Sequence, residues 1–76
     1  SKKTGLVIEA LKTIGSENIS DKERVIIASK LTENEKKQLA TEGRQTARWI
    51  NEEIVNILEL GGYDVRSSQV IDERQK

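Results

Sequence analysis

The sequence contains no cysteine and no histidine, and these two absences remove several classes of functional site. Without cysteine, the chain can form no disulfide, no thiolate nucleophile and no zinc–thiolate site. Without histidine, it lacks the commonest general base of enzymes and the commonest side-chain ligand of transition metals. Sites that depend on either group are therefore excluded.

Long hydrophobic segments are also absent. The longest runs of leucine, isoleucine and valine are three residues, at Leu6-Val7-Ile8 and Val25-Ile26-Ile27, whereas a membrane-spanning helix needs about 20 apolar residues. No hydrophobic region typical of a signal peptide is visible. We therefore expect no membrane association and a cytoplasmic location. Because methionine is absent as well, we expect the chain to be a segment of a longer protein.

The composition predicts a small hydrophobic core. Apolar residues make up 34% of the 76 positions, and the 13 basic and 13 acidic side chains give a net charge of zero. A domain of this size buries only about 60% of the surface of its unfolded chain. Its stability should therefore be low unless a partner completes the fold.

The absence of proline and the five glycines favour helices over many short strands. Val7, Leu11 and Ile14 follow helical spacing, and Gly15 can adopt the left-handed conformation that often ends a helix. These residues predict a first helix over residues 4–14.

Two capping boxes mark the starts of the next two helices. At Ser20 to Glu23 and again at Thr32 to Glu35, the first side chain can accept from the amide three residues later. The glutamate can reach back to the first amide in return. These boxes predict helices over residues 21–30 and 33–42.

A stripe of apolar residues at helical spacing predicts the last helix, over residues 45–60, which the Gly61-Gly62 pair ends. Residues 63–76 show no periodicity, and we expect a mostly disordered tail. The fold prediction is an all-α domain over residues 1–62, a small bundle of three to four short helices. The stripe comprises Ala47, Ile50, Ile54, Ile57 and Leu58.

No arrangement of residues predicts catalysis. The adjacent carboxylates of Glu52 and Glu53 point about 100° apart on a helix, so they cannot face one substrate atom together. We interpret both as solvated helix charges. The sequence also lacks a glycine-rich phosphate loop and a calcium-binding loop. We therefore predict a protein that is not an enzyme and has no cofactor, metal or small-molecule substrate.

Trp49 lies one position before Ile50, at the edge of the apolar stripe. One interpretation is a tryptophan at the rim of the core, with its indole N–H in water. The other is an interface anchor, since tryptophan and arginine dominate binding hot spots. Its partner would be another protein or a second copy of the chain. The predicted partner-binding residues are Trp49, Arg48, Arg44 and Leu60.

A basic segment around Gly43 suggests an alternative function, DNA binding through a helix-turn-helix. The glycine follows Leu39-Ala40 by one residue too few for that motif. Glutamates surround the segment, and a neutral chain lacks the positive charge that drives most DNA affinity. The DNA-binding residues of this alternative are Lys36, Lys37, Arg44, Gln45, Thr46, Arg48 and Asn51.

Residues 31–58, LTENEKKQLATEGRQTARWINEEIVNIL, resemble the closing segment of bacterial AbiEi-like antitoxins, which belong to type IV toxin–antitoxin and abortive-infection systems. Residues 7–20, VIEALKTIGSENIS, are similar to the helix and loop that precede it in that family. Two positions depart from the family pattern: Gln45 replaces an aromatic residue, and Arg48 replaces a proline. The shared features are the capped acidic start at 32–35, Lys36-Lys37-Gln38-Leu39, Arg44 and Trp49-Ile50.

The resemblance implies a contribution to antitoxin function through protein contacts, in a system whose other component is a nucleotidyltransferase-type toxin. It assigns DNA binding to a winged-helix domain outside these residues. Three hypotheses follow: a non-catalytic helical interaction domain, a small DNA-binding regulator, and a structural segment of a larger protein.

Overall fold

The computed structural model describes residues 2–43 and 45–65, and within these ranges it contains helices and no strand. All four predicted helices are present, so the all-α prediction is confirmed. A single 3-10 turn, Ser16–Asn18, separates the first two helices. The helices are α1 Lys2–Ile14, α2 Asp21–Ser29, α3 Glu33–Gly43 and α4 Arg48–Leu60.

Side-chain caps start α2 and α3 as the sequence predicts. The Ser20 hydroxyl accepts a hydrogen bond from the Glu23 amide at 3.2 Å. The second box is complete, because the Thr32 hydroxyl accepts from the Glu35 amide at 3.1 Å and the Glu35 carboxylate accepts from the Thr32 amide at 2.9 Å. The backbone hydrogen bond from Thr32 holds the pKa of Glu35 below its ordinary value of 4.5. Both caps satisfy amides that a helix start leaves unpaired.

The connection between α3 and α4 differs from the prediction. Residues 45 and 46 form a turn in which the amide of Gln45 donates to the carbonyl of Glu42 at 3.0 Å. The hydroxyl of Thr46 donates to the carbonyl of Gly43 at 2.9 Å. Because these bonds satisfy the last carbonyls of α3, α4 begins at Arg48, three residues later than the predicted start at 45.

α4 supplies the centre of the core and contacts α1, α2 and α3. Four of the five stripe residues are buried, as the periodicity predicts. Ala47 is the exception: it precedes the helix and is exposed. The buried members of the stripe are Ile50, Ile54, Ile57 and Leu58, and they pack with Leu11 and Leu39.

The disordered tail was predicted to begin at residue 63, which is too early. Val65 is 1% exposed and belongs to the core, and Tyr63 packs against it. The amide of Tyr63 donates to the carbonyl of Leu58 at 2.8 Å, and Gly62 adopts a φ of 88° that turns the chain back onto the bundle. The domain therefore extends to residue 65, and the rest of the predicted tail, residues 66–76, lies outside the described residues.

α2 and α4 are held together by a close backbone approach and by an ion pair. Gly61 lies against Ala28 so tightly that a Cβ on the glycine would overlap the alanine methyl group. Beside this contact, the Arg24 guanidinium donates twice to the Glu53 carboxylate, with Nε–Oε2 at 2.8 Å and Nη2–Oε1 at 3.1 Å. Asp21 accepts a third bond from the same guanidinium.

The environment of Glu53 contradicts its interpretation as a solvated charge. Glu53 is 2% exposed, and its two oxygens both accept from Arg24. The hydrogen bond to Glu53 raises the pKa of Arg24, which keeps the guanidinium positively charged. The expectation was wrong because the partner lies 29 residues earlier in the chain, on another helix.

Candidate interaction surface

Trp49 lies at the rim of the core, as one of its two interpretations predicts. Its side chain is partly buried and packs against the core cluster. A shallow depression beside the indole is lined by residues 15–18 of the loop after α1. This position accounts for the residue structurally, and its role as an interface anchor stays a prediction.

Among the predicted partner-binding residues that the structure describes, Leu60 lies apart from Trp49, whereas Arg48 directly precedes it at the start of α4. Leu60 is 44% exposed, but it lies eleven residues further along α4, about 16 Å away by the rise of a helix. Arg48 is 93% exposed and its Nε donates to Glu52 at 3.3 Å. Arg44 lies outside the described residues.

Intramolecular contacts occupy several of the residues proposed for DNA binding. Lys36 has a side chain only 13% exposed, and its ammonium group pairs with Glu33 at 3.1 Å. The hydroxyl of Thr46 is engaged by the carbonyl of Gly43. These bonds reduce the positive charge and the number of donors available to a phosphate backbone.

The remaining residues of the DNA-binding set are spread over two helices and a turn. Lys37 on α3 and Gln45 in the turn are exposed. Asn51 is partly buried, and its Oδ1 lies near Gly43. Among the described residues of this set, the cationic side chains are Lys36 and Lys37 on α3 and Arg48 at the start of α4.

An apolar groove lies between α1 and α2. Lys3 and Lys30 line one end of this α1–α2 groove, which shows that the start of α1 lies beside the end of α2. Ile14 and Glu23 line the other end, so the two helices are antiparallel. Two adjoining cavities of about 450 and 200 Å³ form the groove. Its walls include Leu6, Val7, Ala10, Ile14, Ile19 and Ile27.

The edges of the α1–α2 groove carry large apolar side chains in water. Leu6 on α1 is 69% exposed, and Ile26 on α2 is 44% exposed. Helical geometry places Ile26 on the same side of α2 as the groove-lining Glu23 and Lys30, because it lies three and four residues from them. The groove therefore combines an apolar floor, apolar edges and charged ends.

The prediction from sequence did not include this groove, although a signal for it was present. Three consecutive residues span 200° around a helix, which is more than one core-facing side can bury. The runs at residues 6–8 and 25–27 must therefore each leave an apolar side chain outside the core. In the structure these side chains include Leu6 and Ile26.

Other kinds of site find no support in the described part of the chain. Among residues 2–43 and 45–65, no three acidic side chains lie close enough to hold a metal ion. None of the helices in these ranges has the length and apolar character that crossing a bilayer requires.

Comparisons of the chain with models of protein families, with curated proteins and with solved structures find no match.

Proposed function

We propose that the chain is a non-catalytic helical domain that binds other proteins. The observation that carries this proposal is the α1–α2 groove. A chain with only 34% apolar residues leaves Leu6 at 69% exposure beside an apolar cavity. Contiguous apolar surface of this kind is costly in water and typically marks a binding site.

We further propose that the domain is part of a bacterial antitoxin acting in the cytoplasm. The similarity of residues 31–58 to AbiEi-like antitoxins supports this assignment. In such a system the heterologous partner would be the nucleotidyltransferase-type toxin, and Trp49 with the exposed Arg48 would contact it at the start of α4. The α1–α2 groove offers a second, separate contact surface.

Binding to DNA is the less supported alternative. The chain carries no net charge, and Lys36 and Arg48 each pair with a glutamate on their own helix. Non-specific affinity for DNA comes mainly from lysine and arginine side chains that neutralise phosphates and so release the counterions bound to the DNA. Because two of the cations proposed for DNA contact are paired in this way, the domain is better suited to a protein surface.

The experiment that tests the proposal is co-purification of the chain with the product of the adjacent gene, in parallel with a titration of mixed-sequence duplex DNA. We expect a protein complex, formed with that product or between copies of the chain. Trp49→Ala should weaken the heterologous complex while leaving the helical circular dichroism intact. Lys22→Ala, which changes an exposed side chain of α2, is the control.

Three results would overturn the proposal. The first is DNA binding that weakens steeply with salt and with Arg48→Ala, in the absence of any protein complex. The second is a turnover activity of the purified chain. The third is loss of helical circular dichroism in Trp49→Ala, which would assign Trp49 to the core and remove the anchor at the start of α4.

A further inference from the structure

We infer that the α1–α2 groove is closed by a second copy of this chain, in an antiparallel two-fold dimer. The inference rests on the proposed protein-binding function and names the occupant of one surface. Three features of the groove make it complementary to itself: its charged ends, the sizes of the side chains on α1, and the level at which the two helices meet.

The charges on α2 are self-complementary. Glu23 on α2 and Lys30, the residue directly after α2, lie seven residues apart on the groove side, with Ile26 and Ile27 between them. Two turns of helix separate the two charges by about 10 Å. When two copies of α2 cross antiparallel at Ile26, Lys30 of each copy faces Glu23 of the other. The symmetry therefore forms two identical ion pairs around an isoleucine contact.

The side chains on α1 are complementary in size. Leu6 and Ala10 lie one turn apart on the groove side of α1. Leu6 is the most exposed large apolar residue in the part of the chain that the structure describes. In an antiparallel pair of α1 helices centred near residue 8, Leu6 of each copy lies over Ala10 of the other. A large side chain then packs against a small one twice, which is the arrangement that interdigitating helices require.

One symmetry axis serves both helix pairs. Leu6, Val7 and Ile27 line both cavities of the groove, so the middle of α1 and the middle of α2 lie at the same level. An axis across the groove at that level relates α1 to α1 and α2 to α2. The same patch on both subunits then forms the interface, as two-fold dimers require.

The charge pattern favours a second copy over an unrelated acidic or basic helix. An acidic helix would pair with Lys3 and Lys30 but would meet Glu23 at the other end of the groove. A basic helix would pair with Glu23 but would be repelled by Lys3 and Lys30 at the other end. A second copy in the antiparallel orientation matches both ends, and its zero net charge adds no long-range repulsion.

The test is sedimentation equilibrium of the full 76-residue chain over a wide range of concentrations, with circular dichroism as the control for folding. We expect the wild-type chain to dimerise. Ile26→Asp should raise the dimer dissociation constant by about 30-fold or more, because it buries a carboxylate at the centre of the interface. Leu6→Asp should act in the same direction.

Val25→Asp is the matched control for Ile26→Asp. Val25 is also 44% exposed and lies on the same helix, but it points about 100° away from Ile26, on the side opposite the groove. The same carboxylate placed there should leave the dissociation constant unchanged.

The antiparallel orientation has its own test by charge reversal. Glu23→Lys and Lys30→Glu each place like charges opposite one another, and each should weaken the dimer by about two- to fivefold at low salt. The double variant restores opposite charges at both positions and should recover the wild-type constant. An additive loss in the double variant would contradict the antiparallel arrangement.

A chain that stays monomeric at all concentrations with intact helical circular dichroism overturns the inference. A dimer that persists in both Ile26→Asp and Leu6→Asp also overturns it, because the groove is then not the interface. A monomer that still binds the product of the adjacent gene refutes the dimer and leaves the proposed function standing.

Discussion

The two sides of α2 differ sharply, although they belong to one helix of nine residues. Towards α4, Ala28 is completely buried against Gly61, and Arg24 forms two hydrogen bonds to the buried Glu53. Towards the groove, Ile26 is 44% exposed and Ile27 only partly buried. The comparison teaches that one side of α2 holds the fold together and the other remains open for a partner.

The side that faces α4 should be the more sensitive to substitution, and Gly61→Ala should have the largest effect. Its new methyl group would overlap the methyl group of Ala28, which belongs to the opposing helix and cannot move alone. Separating α2 from α4 should cost about 3 kcal/mol of unfolding free energy, measured by urea unfolding. Gly5→Ala is the control: a Cβ there meets nothing within 4 Å, so helix propensity should stabilise α1 by up to about 1 kcal/mol. Equal effects of the two changes would contradict the close approach.

The next largest effect should come from the buried ion pair. Glu53→Gln removes the buried negative charge that pairs with the Arg24 guanidinium, so we expect a lower urea midpoint than wild type but a higher one than Gly61→Ala. Glu52→Gln, on the exposed side of α4, should change the midpoint little. Replacing both partners, as in Arg24→Leu with Glu53→Leu, should recover stability because no buried charge is then left unpaired. A double variant less stable than either single variant would contradict this account.

Removal of the α2 cap should have a smaller effect. Ser20→Ala deletes the hydroxyl that accepts from the Glu23 amide and should cost about 1 kcal/mol. The same substitution at Ser29, in the last turn of α2, removes a hydroxyl bonded to the Ile26 carbonyl and should cost much less. Thermal unfolding of the two variants side by side measures the difference. A Ser29→Ala variant that is the less stable would show that the cap does not stabilise the start of α2.

Acidification should produce the smallest effect, and it concerns neither side of α2. A carboxyl group whose pKa is lowered by folding, as for Glu35, stabilises the fold above its unfolded pKa. That contribution is lost as the pH falls below about 4.5 towards the lower folded pKa. In urea unfolding between about pH 6 and pH 3, Glu35→Gln should therefore lose less stability than the wild-type chain. Ile26→Asp should leave the contribution of Glu35 to the unfolding free energy in place. Glu59→Gln, which removes an exposed carboxylate elsewhere, is the control for Glu35→Gln.

Local patterns in the sequence predicted the helices well. The capping boxes at Ser20 and Thr32 and the stripe from Ile50 to Leu58 act within a few residues, so their geometry follows from the sequence alone. The start of α4 was missed because hydrogen bonds from residues 45 and 46 close the end of α3. The residue at which α4 begins therefore depends on which carbonyls at the end of α3 are left unpaired.

The features that the sequence did not reveal depend on contacts between distant segments. Val65 is buried because Gly62 turns the chain back onto the bundle, and no periodicity precedes it. Glu53 is buried because Arg24 lies across from it on α2. The groove exists because α2 packs chiefly on α4 and leaves its other side apart from α1. The roles of Trp49 and of Arg48 stay predictions, because only a partner would test them.

The most direct test of the difference between the two sides of α2 is an isotope-filtered NOE experiment on a mixture of labelled and unlabelled chains. We predict intermolecular NOEs between the methyl groups of Leu6 and Ala10 and at Ile26, whereas the contact of Ala28 with Gly61 should give intramolecular NOEs alone. Intermolecular NOEs at Ala28, or none at Leu6 and Ile26 at high protein concentration, would contradict the account.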